Sequence, residues 1–303
     1  METVMTNLPV LKPGDCVEII APASRCTDER LSELKELLES WQLRCLVSKD
    51  IFGDDLLCAN ADEIRFQSLQ QSLQNPETKA VICARGGYGS MRLIPALSEM
   101  TPPEKLKLFV GMSDITALHL FLEQHWQWPT IHGALAKDKF SPESIATLKS
   151  LLFGTVDQMT LPGVALNALA ANNQVIEATL TGGNLCLVQS SLGTLWQLDG
   201  KGDIIFLEEV GERGYRVDRM LEHLRQANVF QGAKAIVFGD FIEGEEPNGT
   251  SLVQPVLERF AQDCNIPVLQ IEGVGHGYIN FPLLLGTKAK LQLGNKITLT
   301  CFR

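Results

Sequence analysis

The chain has 303 residues, 45% of them hydrophobic and 20% charged, which is enough apolar material for two packed domains. Acidic residues outnumber basic ones 36 to 26, and a broadly negative field disfavours nucleic acid and anionic membranes as partners. No apolar run nears the roughly 20 residues that span a bilayer, and the start METVMTNLPVLKPGD lacks the basic-then-apolar pattern of a secretory signal.

The first half alternates strand-like and helix-like segments. Val17 to Ala21 reads as a short apolar strand leading into a turn at Pro22-Ala23-Ser24. A helix is expected from Thr27-Asp28, with Leu31, Leu34, Leu37, Leu38 and Trp41 at helical spacing. Ala61 to Leu73 gives a second helix, with Ile64, Leu69 and Leu73 on one face. Ala80 to Ala84 is a continuous apolar run that stops at Arg85-Gly86-Gly87. Leu106 to Val110 is another, stopping at Gly111 before a helix through Leu118, Leu120 and Phe121. This βαβ rhythm predicts an N-terminal, Rossmann-like α/β domain (1–155) built on a parallel sheet.

The helical pattern lapses between about 153 and 174, where glycines, Pro162 and Asn172-Asn173 collect, so 156–174 is expected to be a linker. Beyond it, a second α/β domain (175–303) with a mixed sheet is predicted. Its strands are Val175 to Leu180, Asp203 to Leu207, Ala235 to Phe238 and Val268 to Ile271, and its helices are Val217 to Ala227 and Ser251 to Cys264. A closing hairpin is expected around Gly294-Asn295. The eight cysteines show neither a CxxC nor a Cys/His ligand spacing. They read as reduced thiols in or near the core, which points to a cytoplasmic protein without a metal site.

Four junctions carry chemistry. In Phe109-Val110-Gly111-Met112-Ser113-Asp114, a strand turns almost at once into a helix. That lifts the Ser113 hydroxyl above the sheet edge, beside amides whose dipole favours developing negative charge. Ser113 and Asp114 are also good helix caps, and the pattern alone leaves both readings standing. Ala84-Arg85-Gly86-Gly87-Tyr88-Gly89-Ser90 puts three glycines in four positions after another strand. It could serve as a phosphate cradle, an oxyanion hole or a bare turn, although neither GxGxxG nor GxxxxGK[ST] is present.

Of the five histidines, His119 and His125 read as structural, His223 as solvated and His132 as a minor candidate. His276 stands in the glycine-rich loop Gly273-Val274-Gly275-His276-Gly277, free to face a cleft or to bond its own backbone. Glu208-Glu209 follows the strand Ile204 to Leu207. A carboxylate there can orient an imidazole, and two adjacent acids can equally be a solvated edge.

Taken together, these segments resemble the LD-carboxypeptidase family, the murein tetrapeptide carboxypeptidases and their microcin-immunity relatives. The resemblance rests on Pro13-Gly14-Asp15, ARGGYGSMRL at 84–93, GMSDITALH at 111–119, LTGGNL at 180–185, FLEEVGERGYRVDRML at 206–221, GHG at 275–277 and PLLLG at 282–286, in the family's order. It implies a serine peptidase with Ser113 as nucleophile and Glu208 and His276 completing the triad, placed where the two domains meet. The backbone amides of Gly87 and Asp114 are the implied oxyanion donors. The family's second acid is commonly Asp, and Glu209 stands there instead.

The implied reaction frees a terminal D-alanine from the L-centre of a diamino acid in a murein peptide, with no cofactor. Arg85, at the end of a buried strand, then becomes a candidate for the substrate carboxylate or for fixing the glycine-rich loop. The resemblance admits a homodimer. Two other readings stay open: cleavage of an aminoacyl-nucleotide conjugate, and a phosphate- or nucleotide-binding protein that uses the glycine-rich loop.

Overall fold

A computed structural model describes residues 8–303. The first seven residues, part of the stretch inspected for a secretory signal, lie outside the described residues. The chain divides into two compact units, Met1–Asp157 and Gln158–Arg303.

The first unit runs β1 (Cys16–Ile20), α1 (Asp28–Ser40), β2 (Arg44–Val47), α2 (Asp62–Gln74), β3 (Thr78–Cys83), α3 (Ile94–Ser98), β4 (Leu108–Gly111), α4 (Thr116–Trp126), β5 (Thr130–His132) and α5 (Pro142–Leu152). Its strands pair in the order β2-β1-β3-β4-β5, all parallel. The apolar runs at Ala80 to Cys83 and along β4 are buried on both faces, as a helix-covered parallel sheet requires. Thr27 caps α1, its side chain accepting from the Arg30 N–H at 3.2 Å, and Leu34, Leu37, Leu38 and Trp41 turn inward. Such a cap is worth about 1 kcal/mol.

β4 begins two residues later than the apolar run from Leu106, because Lys107 is taken by the end of α2. Its ammonium donates to Ser72 O at 2.6 Å and Thr78 Oγ1 at 2.7 Å, and to Asn75 O, while burial pushes its pKa down to about 8. In α2 the inward face is Arg65, Leu69, Ser72 and Leu73, with Ile64 only half-buried. α5 adds to the expected elements; Ser141 caps it from ahead of Pro142, and Ile145, Leu148, Leu151 and Leu152 turn inward at helical spacing.

The second unit contains β6 (Gln158–Ala165), α6 (Ala168–Ala171), β7 (Val175–Asn184), α7 (Leu185–Ser190), β8 (Ile204–Val210), α8 (Gly214–Gln226), β9 (Ala235–Ile242), α9 (Val253–Gln262), β10 (Val268–Ile271), β11 (Leu283–Leu285), β12 (Thr287–Gln292) and β13 (Ile297–Phe302). Seven of these strands close into a mixed barrel in the order β10-β6-β13-β12-β7-β8-β9. β7 to β10 run parallel through helical crossovers, and β12 and β13 form the expected hairpin.

The span 156–174 is not a linker. It holds β6 and α6, and β6 pairs with both β13 and β10. Most of β6 is exposed, and Pro162-Gly163 cut short the polar–apolar alternation of Gln158 to Leu161. All eight cysteines are free thiols, buried or half-buried. Among the described residues no helix is long and apolar enough to cross a membrane.

Candidate active site

In the first unit the β4–α4 junction is a sharp turn. Met112 is extended, Ser113 takes a left-handed φ of 63°, and a single 3-10 turn over Ser113–Ile115 leads into α4. A non-glycine residue held there costs about 1–2 kcal/mol, a strain that persists only where the surroundings impose it. Those surroundings are on both sides. The buried His119 ring donates from Nε2 to Gly111 O at 2.9 Å, at the foot of the turn. Burial and the nearby His132 push its pKa down to about 3, so His119 is a neutral strut. His125 stacks on Phe121.

Asp114 is buried rather than a solvent-side cap. Its Oδ2 accepts the Ser90 N–H at 2.8 Å, and its carbonyl accepts the Ser90 hydroxyl. The Ser113 turn and the glycine-rich loop are thus bonded to each other. They also touch. A Cβ on Gly86 would stand 3.1 Å from Ser113 Oγ, so only a glycine lets the loop lie this close.

Gly87 is exposed and packs on Ser24. Ser24, on the turn after β1, donates its N–H to Gly86 O at 3.2 Å, accepts from the Tyr88 N–H at 3.0 Å and donates its hydroxyl to Leu57 O at 3.0 Å. From below, the buried Arg65 donates to Gly89 O at 3.0 Å, to Pro22 O and to Asn60 O at 2.9 Å, while pairing with Asp62. The loop then enters a 3-10 turn, Ser90–Leu93, and the five-residue α3. It therefore lacks the long helix N-terminus that a phosphate cradle uses.

Arg85 departs from expectation. It is exposed, not embedded at the strand end, and its Nη1 donates to Arg25 O at 3.0 Å. No desolvation has to be offset there.

In the second unit Glu208 and Glu209 lie inside β8, both buried, so they are not a solvated edge. Glu208 Oε2 accepts from His276 Nδ1 at 2.7 Å, and both side chains are nearly inaccessible. Glu209 points to other partners. It accepts from Asn184 Nδ2 at 2.9 Å, from the Cys186 N–H at 2.8 Å and from its neighbour Val210 N–H at 2.9 Å. Burial, reinforced by the charge of Glu208, pushes its pKa up to about 7. Asn184 also caps α7, which is how the LTGGNL stretch fixes Glu209.

Asp240 on β9 is a further acid that the sequence did not suggest. Burial first, then the charges of Glu208 and Glu272, push its pKa up to about 6. His223 is exposed and bonded to Gln189. Among the described residues no three His, Cys, Asp or Glu side chains form a metal-binding group.

Residues 17–133 match the LD-carboxypeptidase N-terminal domain, and residues 177–291 match the LD-carboxypeptidase C-terminal domain. The chain belongs to the LD-carboxypeptidase family, and so to a family of peptidases. A Rickettsia conorii protein provisionally named a carboxypeptidase is 41% identical over 282 residues, spanning 91% of this chain and 87% of its own. The crystal structure of muramoyltetrapeptide carboxypeptidase from Oxalobacter formigenes superposes with a TM-score of 0.80 at 28% identity, covering 95% of this chain and 99% of that one. The microcin C7 self-immunity protein in complex with aspartyl sulfamoyl adenosine shares the fold, with a TM-score of 0.79 at 19% identity over 97% of each chain.

Proposed function

We propose that this protein is a serine LD-carboxypeptidase that releases the terminal D-alanine of a murein tetrapeptide, with Ser113, Glu208 and His276 as its triad. The observation that carries the reading is the buried 2.7 Å hydrogen bond between Glu208 and His276. A carboxylate on Nδ1 holds the imidazole in the tautomer that leaves Nε2 to accept a proton, and it stabilises the imidazolium that forms.

In this reading His276 Nε2 takes the Ser113 proton as the serine oxygen attacks the carbonyl of the L-centre, that of diaminopimelate or lysine. The backbone N–H groups of Gly87 and Asp114 stabilise the oxyanion, each such donor being worth about 3 kcal/mol. The imidazolium returns its proton to the amine of the departing D-alanine. Water, deprotonated by the same imidazole, then cleaves the acyl-enzyme and restores Ser113. Arg85, exposed and anchored through a single carbonyl, is free to pair with the D-alanine carboxylate.

The name of the Oxalobacter relative supports a murein substrate, and the free thiols fit recycling of wall fragments in a reducing cytoplasm. Neither nucleic acid nor a membrane is part of the reaction, and a serine mechanism needs no cofactor.

The experiment measures D-alanine release from a murein tetrapeptide beside cleavage of an aminoacyl sulfamoyl adenylate, with fluorophosphonate labelling of Ser113. Release of D-alanine that is lost in Ser113→Ala is expected. Turnover of the adenylate alone would move the substrate to a nucleotide conjugate, and an active Ser113→Ala variant would remove the triad.

A further inference from the structure

β9 carries one residue more than β8 just where Glu208 stands. Leu207 pairs with Phe238 but Glu209 pairs with Phe241, so Gly239 and Asp240 together face Glu208. A bulge of this kind bends the strand and re-aims its side chains.

The re-aimed side chain here is Asp240, and it meets the loop that carries His276. Its backbone N–H donates to Val274 O at 2.8 Å, and its Oδ1 accepts the Gly273 N–H at 3.0 Å. Its second oxygen faces the other end of the same loop, since Oδ2 lies 3.4 Å from the place a Cβ on Gly277 would occupy. Between these two points the backbone at Gly275, with φ 148°, is wedged between Asp240 and Glu208. A Cβ there would come within 3.2 Å of both Asp240 Cβ and Glu208 Oε2. The far side of the loop is tied by the Phe281 N–H to Gly273 O at 2.7 Å and the Gly275 N–H to Asn280 Oδ1 at 3.3 Å. The carboxylate of Asp240 therefore reaches the residues on both sides of His276.

We infer that Asp240 is a positioning residue that fixes the 273–277 loop so that His276 Nδ1 stays on Glu208. The inference rests on the reading of His276 as the general base. Asp240 does not touch the reacting atoms; it acts through the backbone that carries the imidazole. The charged groups that act on it are Glu208 across the bulge and Glu272 just past β10. Asp240 therefore belongs to the same acid cluster as the Glu208–His276 pair.

Two substitutions separate this role from general support of the fold. Asp240→Asn keeps an oxygen for the Gly273 N–H, and Asp240→Ala removes it. Displacing a catalytic group by about an ångström costs on the order of 10- to 100-fold in rate, so the Ala variant is expected to lose that much kcat with KM within about threefold. The Asn variant should keep kcat within about threefold of wild type.

In the substrate-free protein, the His276 Nδ1 proton bonded to Glu208 should give a downfield NMR signal, assigned by its loss in His276→Gln. It should persist in Asp240→Asn and shift or vanish in Asp240→Ala. An Ala variant that keeps wild-type kcat, or one whose downfield proton is unmoved, overturns the inference. If Ala fails to fold, Asp240→Ser, too short to reach Gly273, is judged by the same signal. Because the signal needs no substrate, a wild-type enzyme that releases no D-alanine would refute the proposed function while leaving this test intact.

Discussion

Gly86 lies so close to Ser113 that a Cβ built on it would stand 2.7 Å from the serine Cβ and 2.9 Å from the Met112 carbonyl oxygen. Neither neighbour is a flexible chain end that could swing aside, so Gly86→Ala must push the loop and the turn apart. Overpacking of this kind costs about 1–3 kcal/mol. If Ser113 is the proposed nucleophile, a shift of its turn is expected to lower D-alanine release by on the order of 100-fold. Steady-state assays with a urea denaturation curve check both, and a Gly86→Ala enzyme with normal kcat would show that the contact is slack.

Ser113 holds a left-handed backbone that glycine adopts without cost. Ser113→Gly is therefore expected to be inactive yet no less stable than wild type, with relief of about 1 kcal/mol offset in part by the freer unfolded chain. A melting temperature several degrees below that of wild type would mean that the hydroxyl supports the fold.

Glu209 and Asp240 both have folded-state pKa values above their ordinary ones, about 7 and about 6. A raised carboxyl pKa means that the folded protein keeps a proton the unfolded chain has already released. Stability from these groups is full below about pH 4 and is lost as pH rises through 6 and 7. In Glu209→Gln that loss should flatten between pH 5 and 7, although the variant starts less stable because an amide NH2 would face the Cys186 N–H. Chemical denaturation across this range measures it, and equal slopes in the two proteins would refute the assignment.

Arg65 is buried and holds three loop carbonyls besides Asp62. Arg65→Met takes a buried donor from all three carbonyls, a loss on the order of 3 kcal/mol, although Asp62 keeps the Arg92 guanidinium and Gly89 O keeps the Arg92 N–H. Arg65→Lys should recover only part of this, because a single ammonium cannot serve the same spread of acceptors. Thermal unfolding ranks the three proteins.

Arg85, being exposed, should tolerate Arg85→Lys without a change in melting temperature. As a ligand of the substrate carboxylate it should lose most activity on the free acid and far less on a C-terminal amide analogue. Equal losses on both substrates would remove it from the binding residues.

Ser113, Glu208 and His276 stand out as candidates because each sits where an apolar run meets a short, distinctive stretch of glycines or acids, and the family resemblance joins them into a proposed triad. β4 and β10 were legible for the same reason. What escaped lacks such a border. β6 is exposed along most of its length, so Leu161 alone among its residues turns fully inward. β9 was read as ending at Phe238 because Gly239 follows, yet the bulge carries it on to Ile242, and Asp240 was hidden with it. Arg65 stands on the inward face with Leu69 and Leu73, where an arginine has no place in an apolar pattern, since its partners are carbonyls from three separate turns. Long-range hydrogen bonding to main chain leaves no local pattern.

The closed barrel sets the order in which the second unit can assemble. Thr160 on β6 bonds to Thr300 on β13 across 140 residues, so the ring stays open until β13 has been made. Contacts of such separation form slowly, because the loop entropy is lost before the pairing rewards it. Loss of the final strand would not leave a smaller barrel. It would expose β6 and β12 as two raw edges, each able to recruit a strand from another molecule. The six residues of β13 thus guard the whole unit against aggregation.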